Sequence, residues 1–114
     1  MTVYLGNAFS LQMVEPPTVF EQNALTLEEV AHELKNNSHV CKVVGHRETA
    51  EILSRMLGVE IPYNRQSILL KPGDALIVAQ VVGGRLPECC TTLPPGVKME
   101  FRVVDVIGGI EREN

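Results

Sequence analysis

The chain has 114 residues and a mass of 12.6 kDa, with 45% apolar and 21% charged side chains and a mean hydropathy of +0.08. These values describe one globular domain that can bury a core; two domains, a disordered tail and a helix of the ~18 apolar residues needed to span a bilayer are all excluded. The net charge of −4 and pI near 5.3 have the wrong sign for a protein that coats duplex DNA by releasing counterions.

The first residues, Met-Thr-Val-Tyr-Leu-Gly-Asn, lack a basic stretch followed by an apolar one, so no secretory leader and a cytoplasmic location are expected. Thr2–Leu5 predicts a first strand that can continue to Phe9, with a loop ending at Glu15-Pro16-Pro17 and a short second strand near Val19–Gln22. Thr26-Leu27-Glu28-Glu29 has the spacing of a capping box. Leu27, Val30, Ala31 and Leu34 then repeat at helical intervals, which predicts a helix ending at Asn36-Asn37. Val40–Val44 reads as a buried strand running into Gly45-His46. A second helix is predicted from Arg47 to Leu57, with Ile52, Leu53, Met56 and Leu57 inward and Gly58 as its stop. Gln66–Leu70 reads as a strand joined by the turn Lys71-Pro72-Gly73-Asp74 to a central apolar strand, Ala75–Val82. Gly83-Gly84 breaks that strand, the prolines 87, 94 and 95 keep the next stretch irregular, and Lys98–Ile107 supplies the last strand. The expected fold class is α/β: a single domain with a mixed sheet of about five or six strands and two or more flanking helices.

Cys41 is isolated and Cys89 and Cys90 are adjacent, a pattern that fits neither a disulfide framework nor a thiolate metal clamp. Asp, Glu and His do not cluster at metal-ligand spacing, so neither a metal nor another cofactor is expected. Five aromatic residues, Tyr4, Phe9, Phe20, Tyr63 and Phe101, supply a poor stacking platform for single strands. Charge is nevertheless uneven. Residues 42–85 hold six basic and four acidic side chains, a balance of +2, and the remainder carries −6. A local anion site fits this distribution better than a broad nucleic-acid surface.

The Gly45-His46 junction is the first candidate for such a site, because a strand there meets a helix N-terminus with free N–H groups and the positive end of its dipole. An imidazole beside a bound phosphodiester can serve as a general acid. The plainer alternative is that His46 only caps the helix. A second candidate is Gln80 through Glu88, where a buried strand ends in Val82-Gly83-Gly84-Arg85-Leu86-Pro87-Glu88: glycines admit close approach, Arg85 offers a planar fork for phosphate and Glu88 can hold Arg85 or a ribose hydroxyl. An ordinary loop with a surface ion pair is the alternative there. The segment lacks a Walker-type lysine and dinucleotide-binding glycine spacing. Arg65, and the polar residues Asn7, Ser10 and Gln12 after the first strand, complete the set; Asn and Gln carry both donors and acceptors, as reading a base edge requires.

Asn7-Ala8-Phe9-Ser10-Leu11, Gly45-His46-x-x-Thr49, Asn64-Arg65, Gln80 and Gly84-Arg85-Leu86-Pro87-Glu88 together resemble, in order and spacing, the viral type III anti-CRISPR ring nucleases. These are small proteins of viruses, phages and mobile elements, with some members in cellular genomes, and the likeness covers nearly the whole chain. The resemblance implies an α/β homodimer that binds cyclic tetra-adenylate, the messenger activating type III CRISPR effector nucleases, and cleaves it without metal in the host cytoplasm. It assigns the catalytic histidine to His46, an active-site pair to Arg85 and Glu88, and ligand contacts to Asn7, Ser10, Arg65 and Gln80; Gln12 stands where family members can have Asn.

In the implied phosphodiesterase reaction a ribose 2′-hydroxyl attacks the adjacent phosphorus, His46 protonates the departing 5′-oxygen, and a 2′,3′-cyclic phosphate forms. A protomer of this length has too little surface to enclose four nucleotides, and its candidate residues come from four separated loops. A twofold dimer sharing one ring is therefore expected, with residues 7–17 and 83–95 as lids and no membrane or stable DNA partner. The reading from a different class is a non-catalytic dimeric nucleic-acid-binding or regulatory protein.

Overall fold

The computed structural model describes residues 1–108, and positions 109–114 of the single domain expected from the sequence lie outside the described residues. The elements in chain order are β1 (Val3–Gly6), β2 (Val19–Leu25), α1 (Leu27–Asn36), β3 (Cys41–Val43), α2 (Arg47–Leu57), β4 (Ala75–Val82) and β5 (Lys98–Gly108), with one 3₁₀ turn at Leu11–Met13. They form a five-stranded mixed sheet ordered β2-β5-β4-β1-β3.

β4 occupies the middle because Leu76, Ile77, Val78 and Ala79 are all buried, and a continuous apolar run requires cover on both faces. It pairs parallel with β1 and antiparallel with β5. Strand alternation sends Ile77 and Ala79 to one side, where they meet Leu5 and Phe101 of the sheet and Val30, Leu34, Leu53 and Leu57 of the helices. Leu76 and Val78 face the other side with Val104 and Val106, and there irregular chain supplies the cover through Val14 and Leu70.

Local chemistry sets the helix limits as expected. Thr26 accepts from the Glu29 N–H at 3.1 Å while the Glu29 carboxylate accepts from the Thr26 N–H at 2.9 Å, completing the capping box of α1. α2 ends at Gly58, whose φ of +69° is the left-handed conformation that glycine adopts without steric cost.

The predicted hairpin between residues 66–70 and β4 is not formed. Both edges of β4 are already taken by β1 and β5, and Gln66–Leu70 is not a strand. Ile68 and Leu70 instead pack in the second core: Leu70 is buried, and its N–H donates to the Met13 carbonyl at 2.6 Å. The turn itself is present, with the Asp74 N–H donating to the Lys71 carbonyl at 2.9 Å and Gly73 at φ +91°. Two strands also change length. β1 stops at Gly6 because Phe9 packs against Phe20 in the second core, and β2 runs on to Leu25 because β5 offers a partner as far as Phe101.

The register fixes where the strands end. Gly6 lies opposite Val43 on one side and Val78 on the other, while β4 continues to Val82. Asn7, Gly45-His46 and Gln80–Arg85 therefore gather beyond the carboxyl ends of three adjacent parallel strands, the position where open α/β sheets form ligand clefts.

At the opposite end, buried Asp74 accepts from the Thr2 N–H and the Lys71 N–H, each at 2.9 Å, and so ties the start of β1 to the turn before β4. Asp74→Ala leaves both donors unpaired and is expected to cost about 2–3 kcal/mol in urea unfolding; a loss below about 0.5 kcal/mol contradicts this role.

Candidate active site

Asn7 is the first residue beyond β1, and its Oδ1 accepts from the Gly45 N–H at 3.0 Å. This bond joins the exits of β1 and β3 and sets the start of α2. Gly45 is needed at that point because Arg65 passes over it. A Cβ here would lie 3.2 Å from the Arg65 side chain, and Arg65 is held by its neighbour Asn64, whose N–H and Nδ2 donate to the carbonyls of Val44 and Lys42 at 2.8 and 3.0 Å.

His46 is the N-cap of α2. Its Nδ1 accepts from the Thr49 N–H at 3.2 Å and lies 2.9 Å from the Thr49 hydroxyl, so a neutral ring carries its hydrogen on Nε2. The capping alternative and the catalytic one therefore use different atoms: Nδ1 holds the helix, Nε2 does not, and 47% of the side chain is exposed.

Glu48 alters the expectation of free N–H groups at this helix start. Its Oε1 accepts from the Cys89 N–H at 3.2 Å, and its Oε2 lies 3.7 Å from His46 Nε2. The Cys89 N–H, and after it Glu48's own N–H, hold this carboxyl below the ordinary glutamate range, with smaller contributions from His46 and Arg47. With Thr49 bonded to His46, the helix start already has acceptors of its own, one of them an anion from the chain itself.

Asn7 and His46 line two adjoining cavities. One, of about 340 Å³, also takes Thr49, Gln80, Gly84 and Arg85; the other, of about 380 Å³, takes Gly6, Gly45 and Arg65. Five of the sequence-derived residues, Asn7, His46, Arg65, Gln80 and Arg85, thus share one cleft. Three do not line it. Ser10 caps the 3₁₀ turn by accepting from the Gln12 N–H at 3.3 Å, Gln12 is exposed, and Glu88 is exposed on the loop after β4. That loop is pinched at its base, where a Cβ on Gly83 (φ +90°) would fall 2.4 Å from the Gly96 carbonyl oxygen. A larger cavity, about 820 Å³, lies along Arg47, Ser54, Ile61 and Cys89, and does not include His46. Its size does not outweigh the absence of the imidazole and of the convergent amides found in the smaller cleft.

Glu48 was not singled out from the sequence because its partner, Cys89, is 41 residues away. Thr49 had a local signal, since it stands three residues after an N-cap candidate, where a capping partner belongs. Among the described residues no group of three or more His, Cys, Asp or Glu is placed to hold a metal ion, and no helix is long and apolar enough to cross a membrane.

A model of the STIV B116-like family matches residues 3–93. The solved structure of B116 of Sulfolobus turreted icosahedral virus superposes with a TM-score of 0.80 over 92% of this chain and 99% of that one, at 23% identity, a likeness of fold. The chain is 30% identical over 89 residues to Uncharacterized protein ORF117 of Acidianus two-tailed virus, covering 77% of this chain and 75% of that protein. It is 44% identical over 59 residues to Uncharacterized protein 26 of Sulfolobus islandicus filamentous virus (isolate Iceland/Hveragerdi), covering 52% of this chain and about half, 49%, of that protein.

The Glu48 contact has a pH signature. A carboxyl held below its usual range keeps its acceptor role at neutral pH and loses it as pH falls through that lowered value. In ¹H–¹⁵N spectra the Cys89 amide signal is expected to titrate with a midpoint below the ordinary glutamate range, and Glu48→Gln is expected to abolish that titration. A Cys89 signal that titrates identically in the variant contradicts the contact.

Proposed function

The chain belongs to the STIV B116-like family, with relatives among small proteins of archaeal viruses, and on that premise we propose that it is a ring nuclease that cleaves cyclic tetra-adenylate and so shuts off type III CRISPR signalling. The observation that carries this reading is the meeting of Asn7, His46, Gln80 and Arg85 around one cavity at the carboxyl ends of β1, β3 and β4. These residues come from three separate stretches of the chain, and all four are among those that the resemblance to ring nucleases selects.

Each has a role that its chemistry suits. A ribose 2′-hydroxyl attacks the adjacent phosphorus in line, the P–O5′ bond breaks, and His46 delivers a proton from Nε2 to the departing 5′-oxygen. General acid catalysis of this kind contributes roughly 10²–10⁴ in rate, and alignment of the attacking hydroxyl adds to it. Arg85 neutralises the non-bridging oxygens as charge builds on them. Asn7 and Gln80 offer donors and acceptors to bases or sugars, and Arg65 places a second cation in the adjoining cavity that His46 also lines. The product is a linear oligoadenylate with a 2′,3′-cyclic phosphate, and no step calls on a metal.

The cleft of one protomer is only part of a site. Cavities of about 340 and 380 Å³ are at the lower end of the ~300–1,000 Å³ that bury a single drug-sized ligand, so a ring of four nucleotides overfills them. A ring with twofold symmetry fits two such clefts facing each other in a homodimer, with His46 of each protomer at opposite phosphodiesters. Ser10, Gln12 and Glu88, which lie outside the cleft, are carried on the flanking loops and reach the ring when those loops close over it.

The test is a single-turnover assay with labelled cyclic tetra-adenylate in excess EDTA, paired with calorimetry. The protein is expected to cut the ring, and His46→Ala is expected to lose roughly 10²–10⁴ in rate while still binding one ring per two chains. A wild-type rate in the variant rejects His46 as the acid. An intact ring with stoichiometric wild-type protein rejects the enzyme and favours the non-catalytic reading, and one ring per chain rejects the shared site.

A further inference from the structure

A histidine that caps a helix through Nδ1 meets a conflict when it acts as a general acid. The cap needs a lone pair on Nδ1 to accept from the Thr49 N–H, whereas the imidazolium that donates from Nε2 also carries a hydrogen on Nδ1. In that charge state the Thr49 N–H and the Nδ1 hydrogen point at each other. Of the two Thr49 groups that touch Nδ1, only the hydroxyl, at 2.9 Å, can both donate and accept. Thr49 is 3% exposed and lines the same cavity as His46, so the hydroxyl is fixed beside the ring and shielded from bulk water.

We propose that Thr49 is the positioning residue of this site: its hydroxyl holds the His46 ring through Nδ1 in both protonation states and so fixes where Nε2 stands as the proton leaves. This rests on the reading of His46 as the general acid. Before transfer, the imidazolium Nδ1–H donates to Thr49 Oγ1. In the transfer the Nε2–H bond breaks and its electron pair stays on the ring; the proton joins O5′ as the P–O5′ bond breaks and the 2′-O–P bond forms. The 2′-hydroxyl proton passes to water. Afterwards a neutral ring is left with its remaining hydrogen on Nδ1, and it exchanges through solvent to the Nε2–H form in which Nδ1 again accepts from the Thr49 N–H. The hydroxyl only rotates, and the Thr49 N–H goes without its Nδ1 acceptor until the neutral ring returns to the Nε2–H form.

The charges around His46 are Glu48, 3.7 Å from Nε2, and Arg65 and Arg85, which line the cavities that His46 also lines; Arg47, next in the chain, lies over the Tyr63 ring instead. A substitution at Thr49 changes none of them, so its effect reports the Nδ1 contact. Removing the acceptor disfavours the charged ring.

The experiment compares T49V, T49A and T49S by ¹⁵N NMR titration of the His46 ring and by single-turnover cleavage of cyclic tetra-adenylate across pH. In T49V the ring titration and the falling limb of the rate profile are expected to move together to lower pH, and the rate at pH 7 is expected to fall about tenfold with ring binding unchanged. T49S is expected to behave as the parent protein. T49A replaces T49V if the latter does not fold. A ring titration that is the same in T49V or T49A as in the parent overturns the proposal, and so does a T49S variant as impaired as T49V. The NMR arm needs no turnover: an uncut ring with a shifted titration rejects the nuclease reading and leaves the Thr49 contact standing.

Discussion

The hydrogen bond from the Gly45 N–H to Asn7 Oδ1 is the contact on which the cleft depends. β1 and β3 run parallel and stop at the same level, Gly6 against Val43, so two strand exits open side by side and neither has a further ladder partner to steer it. A side-chain amide one residue past β1 takes the N–H two residues past β3. That choice turns the second exit into the start of α2 with His46 at its cap. β4, which continues to Val82 because β5 pairs with it throughout, forms the third wall and brings Gln80 and Arg85 to the same cavity. The sheet thus supplies rigid positions, and the loops supply chemistry.

Electrostatically the cleft is a basic pocket in an acidic chain that provides its own counter-anion. Arg65 and Arg85 each line a cavity that His46 also lines, while Glu48 sits at the start of α2 and connects it to the loop after β4 through the Cys89 N–H. A phosphodiester arriving at this helix start meets a carboxylate that already takes the Cys89 N–H and Glu48's own N–H. The loop after β4 also carries Glu88.

Much of this architecture was legible from local chemistry. The Thr26 capping box, the Gly58 stop and the unbroken apolar run of β4 each act over a few residues, and each is where the pattern puts it. Residues 66–70 resemble a strand because partly buried Ile68 and buried Leu70 stand at alternate positions, yet they pack on the second core with no ladder beside them. Periodicity reports burial, and it cannot say that both edges of β4 are already occupied. For the cleft, residue type and spacing pointed to His46, Asn7, Arg65, Gln80 and Arg85, all of which meet. Glu48 escaped notice because its significance comes from Cys89, a residue distant in sequence and adjacent only after folding. Ser10, Gln12 and Glu88 lie on loops whose positions strand and helix patterns do not determine.

The central claim is that His46 serves an attack by the ring's own 2′-hydroxyl, and the chemistry of the product ends tests it most directly. Mass spectrometry of the linear product formed from cyclic tetra-adenylate, sampled early and in excess EDTA, is expected to show a 2′,3′-cyclic phosphate at one end and a 5′-hydroxyl at the other. A product bearing a 5′-phosphate and a free 3′-hydroxyl would contradict the account, because water and not the ribose would then be the nucleophile.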